Sequence, residues 1–136
     1  MSPETALAVK NAFTPEQEAA LVAWTKKYPY TNLGLIEALR HPEKLARSMA
    51  AEALGKIGPG AAAAVPALAA ALKDSYYIAR INAASALDEI GGPASAAVPA
   101  LIEGLKDKET FWQAARTLGR LGRNSPEAVA ALNAML

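Results

Sequence analysis

The chain has 136 residues, a formal net charge of +1 at pH 7, and 52% apolar residues, a length that suits one domain and a composition that excludes a disordered chain. The absence of cysteine and the single histidine, His41, exclude a disulfide framework, a thiolate nucleophile and a multi-histidine metal centre. The near-neutral charge also argues against nucleic-acid binding.

No targeting segment is visible in the sequence. The first ten residues lack the basic and apolar regions of a signal peptide. The longest apolar run, residues 61–72, contains Pro66 and is shorter than the roughly 20 residues that span a bilayer. We therefore expect a cytoplasmic protein that does not enter membranes.

Two helix starts open the chain. Ser2, followed by proline, predicts a short N-terminal cap helix over residues 3–12. Thr14 and Gln17 stand at the spacing of a capping box and predict the first of two helices in a unit over residues 14–40.

The centre of the chain is an internal repeat. Residues 47–74 recur as residues 80–107 with a constant shift of 33, which places Leu54 over Leu87. A fixed period between 20 and 50 residues, with apolar residues at helical spacing, indicates an array of helical hairpins.

Each unit is predicted to contain two helices, as residues 42–73 show. Leu54 and Ile57 lie on one face of the first helix, Gly58 ends it with a left-handed conformation, and Pro66 falls in the first turn of the second. The inner side of the second helix carries Val65, Leu68 and Leu72. The third unit covers residues 75–106.

The fourth unit, residues 108–136, follows with a shift of 31 because its connecting loop is two residues shorter. This register predicts Val129 and Leu136 as core positions. Nothing in the sequence covers the far side of the last helix. Three readings stay open: the helix frays, it packs on a partner such as a second copy of the chain, or the array continues in a longer protein.

The repeated segments resemble a known family. AAEALGKIG at residues 50–58 and AVPALAAALKD at residues 64–74, with their counterparts at 83–91 and 97–107, are similar to HEAT-like repeats of the short bacterial type first noted in phycobilisome lyases. The resemblance implies an all-α, right-handed α-solenoid whose second helices line the concave side. It also implies a protein-binding scaffold, with chromophore-lyase subunits and DNA-repair relatives as minorities.

The resemblance further implies a ladder that links an Asp at the end of one unit to an Arg early in the next. Asp74 and Arg80 match this pattern. Arg47 occupies the same column as Arg80, but His41 replaces the acid before it. Asp107 has no Arg in register after it, which puts the ladder in doubt there.

The concave face is the first candidate binding surface. Glu37, Ala70 and Glu103 share one exposed column, and Ala71 and Gly104 belong to the neighbouring one. Adjacent units agree in the core but differ in these columns, which favours a groove that accepts a partner helix and pairs its Lys or Arg with the two glutamates. The alternative is that small residues only let neighbouring helices pack tightly.

An aromatic edge is the second candidate surface. Tyr76, Tyr77, Phe111 and Trp112 follow the Lys-Asp pairs that close units, and adjacent aromatics cannot all point inward. Tyr and Trp are favoured interface anchors. The alternative is that these rings fill gaps left by an alanine-rich core.

Basic residues form two further patterns. Arg116, Arg120 and Arg123 recur at the spacing of one helix face, which is either a phosphate-binding stripe or a solvated outer face. Arg40, Lys73 and Lys106 each end a second helix, where the helix dipole alone favours a cation.

We therefore expect a non-catalytic scaffold that binds another protein through the concave face, without a metal, cofactor or catalytic site. A chromophore-lyase-like or maturation subunit is the first alternative. Nucleic-acid binding through the arginine stripe is the second.

Overall fold

The computed structural model describes residue 15, residues 32–123 and residues 125–136. Within these residues there is no β-strand. The helices are α1 (Asn32–Ala38), α2 (Lys44–Ile57), α3 (Val65–Ala71), α4 (Tyr77–Ile90), α5 (Val98–Gly104), α6 (Phe111–Leu121) and α7 (Pro126–Asn133). The predicted cap helix, the Thr14–Gln17 capping box and the first helix of the first unit lie outside the described residues.

The helices alternate between two layers of an all-α solenoid. The first helices of successive units, α2, α4 and α6, pack side by side, and the second helices α3 and α5 pack against α4 and α6 respectively. Leucines at two repeated positions, one in the first helix of a unit and one in the second, form one continuous core. Those of the first helices are Leu54, Leu87 and Leu118, those of the second helices are Leu35, Leu68 and Leu101, and all six are fully buried. Stacking is required because a lone hairpin with so few large side chains is marginal in water.

A glycine ends the first helix in both central units. Gly58 has φ 74° and ψ −143°, and Gly91 has φ 78° and ψ −139°. The positive φ agrees with the prediction, but ψ is extended and not that of a left-handed helix, and this region of backbone space is open essentially only to glycine. A short 3-10 helix then leads into the second helix, over Gly58–Ala64 and Gly92–Ala97.

The last unit departs from its predicted core. Val129 is 44% exposed and Leu136 is fully exposed, so the prediction that both are core residues was wrong. Ala128 is the buried residue of α7. The register itself is preserved at Ala128, because its equivalent Ala97 is also buried. Val98, the equivalent of Val129, is buried and lies beside Leu121 and Ser125 of the following unit. No described residue covers Val129 in that way.

One helical stretch, Lys44–Ala71, is long and apolar enough to cross a membrane when judged by length and composition alone. In the fold this stretch is not one straight helix. It turns at Gly58, and Ala61 has the non-helical angles φ −97° and ψ 21°. Its Leu54 and Leu68 are completely buried among the other helices, as expected for core helices.

Candidate protein-binding surface

The exposed sides of α1, α3 and α5 form one surface, which we call the second-helix surface. Glu37, Ala70 and Glu103 lie on it and are exposed, and Gly104 is partly exposed. Ala71, predicted to belong to this surface, is instead 9% exposed and packs in the core. A residue of α3 three positions after the buried Leu68 lies on the same side of the helix, which is why Ala71 points inward.

Two shallow grooves run between neighbouring second helices. The groove between α1 and α3 has a volume of about 220 Å³, and Ala67 and Ala70 lie along it. The groove between α3 and α5 has a volume of about 420 Å³, and Ala69, Ala100 and Gly104 lie along it. Because these side chains are small, a partner's backbone can approach the helices closely.

An arginine–aspartate ladder runs along the ends of the second helices. In the second unit, Arg47 binds Asp74 through two bonds, Nε to Oδ2 at 2.8 Å and Nη2 to Oδ1 at 3.1 Å. Its Nη1 also donates to the backbone carbonyl of His41 at 2.9 Å. The side chains are only 16% and 8% exposed, so this two-point contact is shielded from water.

The third unit repeats the contact. Arg80 Nε donates to Asp107 Oδ2 at 2.6 Å, and Arg80 Nη1 donates to the backbone carbonyl of Asp74 at 2.7 Å. The four residues predicted for the ladder are therefore all in it, but their order differs. Each Arg forms an ion pair with the Asp that closes its own unit, and it reaches the preceding unit through a backbone carbonyl. Asp107 belongs to the ladder without any Arg after it.

The charge of Asp74 is stabilised by its neighbours. Burial raises the pKa of its carboxyl group, but hydrogen bonds from Arg47 and from the Tyr76 N–H, and the charges of Arg47 and Arg80, lower it by more. The pKa of Asp74 therefore lies below its ordinary value of 3.8. The pKa of Asp107 is lowered as well, first by the Glu109 N–H, with smaller contributions from Thr110 and Arg80.

The aspartates also shape the turn into the next helix. Asp74 Oδ1 accepts from the Tyr76 N–H at 2.9 Å, and Asp107 Oδ1 accepts from the Glu109 N–H at 3.0 Å. His41 Nδ1 accepts from the Glu43 N–H at 3.0 Å. His41 therefore replaces the acid as acceptor in this turn, although it carries no carboxylate for an arginine.

The aromatic edge divides into two parts. Tyr76 is partly buried, contacts Tyr77 edge-on at a ring distance of 5.8 Å, and lies 5.0 Å from the ammonium of Lys44. Tyr77, Phe111 and Trp112 are exposed at 46%, 42% and 49%. Phe111 stands 31 residues after Arg80, in the ladder column of the last unit. Exposure is compatible with a role in binding, but part of the edge has a structural role.

The arginine stripe on α6 does not act as three equivalent cations. Arg120 Nη1 donates to Asp88 Oδ2 of α4 at 3.1 Å. Asp88 is 6% exposed, and its Oδ1 has no hydrogen-bond partner among the described residues. Arg120 therefore forms an ion pair across the junction between the third and fourth units. Arg116 and Arg123 remain exposed.

Hydrogen bonds between neighbouring first helices were not predicted from the sequence. Asn82 Nδ2 donates to the Ser48 carbonyl at 3.0 Å, and Thr117 Oγ1 donates to the Ala84 carbonyl at 3.2 Å. A polar residue within an otherwise apolar helix face could have indicated these bonds. Thr117 is such a residue, and it is completely buried. These bonds fix how neighbouring first helices are aligned.

The family comparison agrees with this architecture. The family model of HEAT repeats matches residues 16–88, 32–112 and 65–136, which together cover most of the chain. The chain therefore belongs to the HEAT-repeat family. The match is to HEAT repeats in general and does not confirm a particular relation to phycobilisome lyases. No curated protein matches the chain.

Among the described residues, no three His, Cys, Asp or Glu side chains are grouped so that they could hold a metal ion. HEAT-repeat proteins generally act as non-catalytic scaffolds and commonly bind other proteins.

Proposed function

We propose that this protein is a non-catalytic scaffold that binds a partner protein along the second-helix surface. The observation that supports the proposal is the contrast between core and surface columns. Leu35, Leu68 and Leu101 are equally buried in three successive units. The exposed column beside them changes from Glu37 to Ala70 to Glu103, so the stacking of units does not determine it.

The surface suits a preformed binding site. Its small side chains lose little conformational entropy when a partner covers them, and the core holds the helices that carry them in place. Glu37 and Glu103 supply negative charges about two helix widths apart, to which lysine or arginine side chains of a partner can bind.

The test is an affinity capture from lysate of the source cells with three baits. These are the wild type, the double variant Glu37→Lys/Glu103→Lys, and a control, Glu43→Lys/Glu109→Lys, which makes the same charge change at exposed positions off this surface. We expect the surface variant to lose a captured protein that wild type and control retain, while helicity and melting temperature stay the same. Equal capture by all three would remove this surface from the proposal.

A further inference from the structure

The second-helix surface carries one cation in each of the first three units, in a single column formed by Arg40, Lys73 and Lys106, which we call the basic row. All three residues are exposed, and successive members are 33 residues apart. Arg40 and Lys73 both line the groove between α1 and α3, and Lys73 and Lys106 both line the groove between α3 and α5. The grooves therefore connect the three cations into one continuous path.

The acids beside the row do not cancel its charge. Asp74 and Asp107 directly follow Lys73 and Lys106, but each is already paired with an arginine of the ladder. Lys106 does contact Glu103 at 3.4 Å, yet the two side chains are 76% and 59% exposed. Water largely screens such an exposed pair, so Glu103 holds Lys106 only weakly and leaves it able to bind another acid.

We propose that the basic row receives an extended acidic segment of the partner, with Asp or Glu at every third residue. This rests on the proposed function, because it describes the partner of that same surface. Neighbouring helices lie about 8–10 Å apart. A polyproline II segment rises about 9.3 Å per three residues and presents every third side chain on one side, so its acids match the cations of successive units.

Other backbone conformations fit less well. In a β-strand, residues three apart point to opposite faces, so a regular strand cannot direct all of its acids at the row. An α-helix would need acids seven residues apart, about 10.5 Å, and its diameter of about 10 Å is wide for these shallow grooves. Small residues such as Ala67, Ala70 and Ala100 leave room for a thin extended chain instead.

The glutamates of the surface favour a peptide over a nucleic acid. Glu37 and Glu103 lie in the last turns of α1 and α5, three residues before Arg40 and Lys106, which follow the ends of these helices. A continuous phosphate backbone would be repelled by them, whereas a peptide can place lysine or arginine between its acids. The partner segment is therefore of mixed charge, with the acids in register with the units.

The test uses two fluorescent proline-containing peptides of identical composition. The ordered peptide has aspartate at positions 1, 4 and 7 with lysines between them, and the scrambled peptide has the three aspartates adjacent. Their affinities are measured by fluorescence anisotropy at low salt for the wild type, for Lys73→Glu, and for the control Lys56→Glu. Lys56 is an exposed cation on α2, away from the second-helix surface.

We expect the ordered peptide to bind the wild type and Lys56→Glu alike, and to bind Lys73→Glu about two- to fivefold more weakly, as expected for an exposed ion pair. The scrambled peptide should bind more weakly to the wild type. Replacing the central aspartate of the ordered peptide by lysine should restore its binding to Lys73→Glu. Binding should weaken as salt is added.

Several results would overturn the inference: no binding of the ordered peptide at about 1 mM, equal binding of both peptides, or equal binding by Lys73→Glu. Tighter binding of a single-stranded oligonucleotide that is lost in Lys73→Glu would also overturn it, in favour of a nucleic acid. If these tests fail while the Glu37→Lys/Glu103→Lys variant still loses a captured protein, the acidic segment is wrong and the proposed scaffold function stands.

Discussion

The two central units and the last unit share one sequence pattern but differ in burial. Val98 is 6% exposed, whereas Val129, in the same column, is 44% exposed. A side chain at the position of Gly55 would come within 3.0 Å of the Ala86 backbone, whereas one at the equivalent Gly119 would meet nothing within 4 Å. A repeated residue therefore has a repeated role only where a neighbouring unit packs against it.

The two junctions between first helices also differ in chemistry. The junction of α2 with α4 depends on the close approach at Gly55 and on the Asn82 hydrogen bond. The junction of α4 with α6 uses the Thr117 hydrogen bond and the Asp88–Arg120 ion pair. The first junction thus combines a close approach of backbones with one polar side chain, whereas the second relies on polar side chains.

The largest difference in stability between the units should appear when one leucine of each is truncated. Leu87→Ala removes a fully buried side chain from the third unit and should lower the free energy of unfolding by about 3 kcal/mol through lost burial and a residual cavity. Leu136→Ala removes a leucine of the last unit that is fully exposed, and it should change this free energy by less than about 0.5 kcal/mol. Urea denaturation of both variants provides the measurement. Equal losses would contradict the different burial of the two units.

Replacing glycines tests whether the two units differ in the space available for a side chain. Gly55→Leu should destabilise the protein by about 2 kcal/mol, because the new side chain must push α4 away from α2. Gly119→Leu should be neutral or stabilising by up to about 1 kcal/mol, since its surroundings are open and leucine favours helix. Thermal melting of the pair measures this difference. A stable Gly55→Leu would show that the junction tolerates a wider spacing.

The two ion pairs of the ladder should contribute to the free energy of unfolding in a way that depends on pH, and the size of the contribution should differ between them. The pKa of Asp74 is lowered on folding, so its contribution to stability is complete above about pH 4 and is lost as the pH falls through the lowered value. Asp74→Asn should therefore cost about 1.5–2 kcal/mol at pH 7, in the lower part of the range for hydrogen bonds to a charged group, and progressively less in acid. Urea titrations at pH 7, 4 and 2.5 test this expectation.

Asp107→Asn is the matched variant for this experiment. The side chain of Asp107 is 26% exposed, against 8% for Asp74, so we expect the same sign and a smaller loss at pH 7. A constant difference between wild type and Asp74→Asn at all three pH values would mean that the carboxylate charge does not stabilise the ladder.

The smallest effect should come from the ion pair that joins the last unit. Arg120→Ala leaves the buried Asp88 carboxylate without its cation and should cost about 1 kcal/mol, a value reduced because the Arg120 side chain is 62% exposed. Adding Asp88→Asn should recover part of that loss, because it removes the unpaired charge. If the double variant is less stable than Arg120→Ala, the loss of stability in Arg120→Ala does not come from the broken ion pair.

Much of the fold was predictable because the repeat encodes it locally. The 33-residue shift, the apolar spacing around Leu54 and Leu87, and the glycines at residues 58 and 91 predict hairpins that the structure confirms. The 3-10 segments before α3 and α5 were not predicted, since a run of alanines is compatible with either helix type.

The candidate surface was only partly predictable. Periodicity placed Glu37, Ala70 and Glu103 on an exposed side, but it also placed Ala71 there, and Ala71 is buried. Alanine carries no signal of its own, because it is equally acceptable in a core and on a surface. The ladder illustrates a second limit. Its members could be named from the family pattern, but which Arg pairs with which Asp depends on the three-dimensional path.

The sequence by itself determined the class of this protein, an all-α array of HEAT repeats, because helix periodicity, glycine stops and proline starts are local properties. Only the tertiary structure decided which equivalent positions are covered, that Arg47 binds Asp74 and Arg80 binds Asp107, and that Arg120 is held by Asp88. These outcomes depend on contacts between residues about 30 positions apart, whose geometry is set by how the units stack.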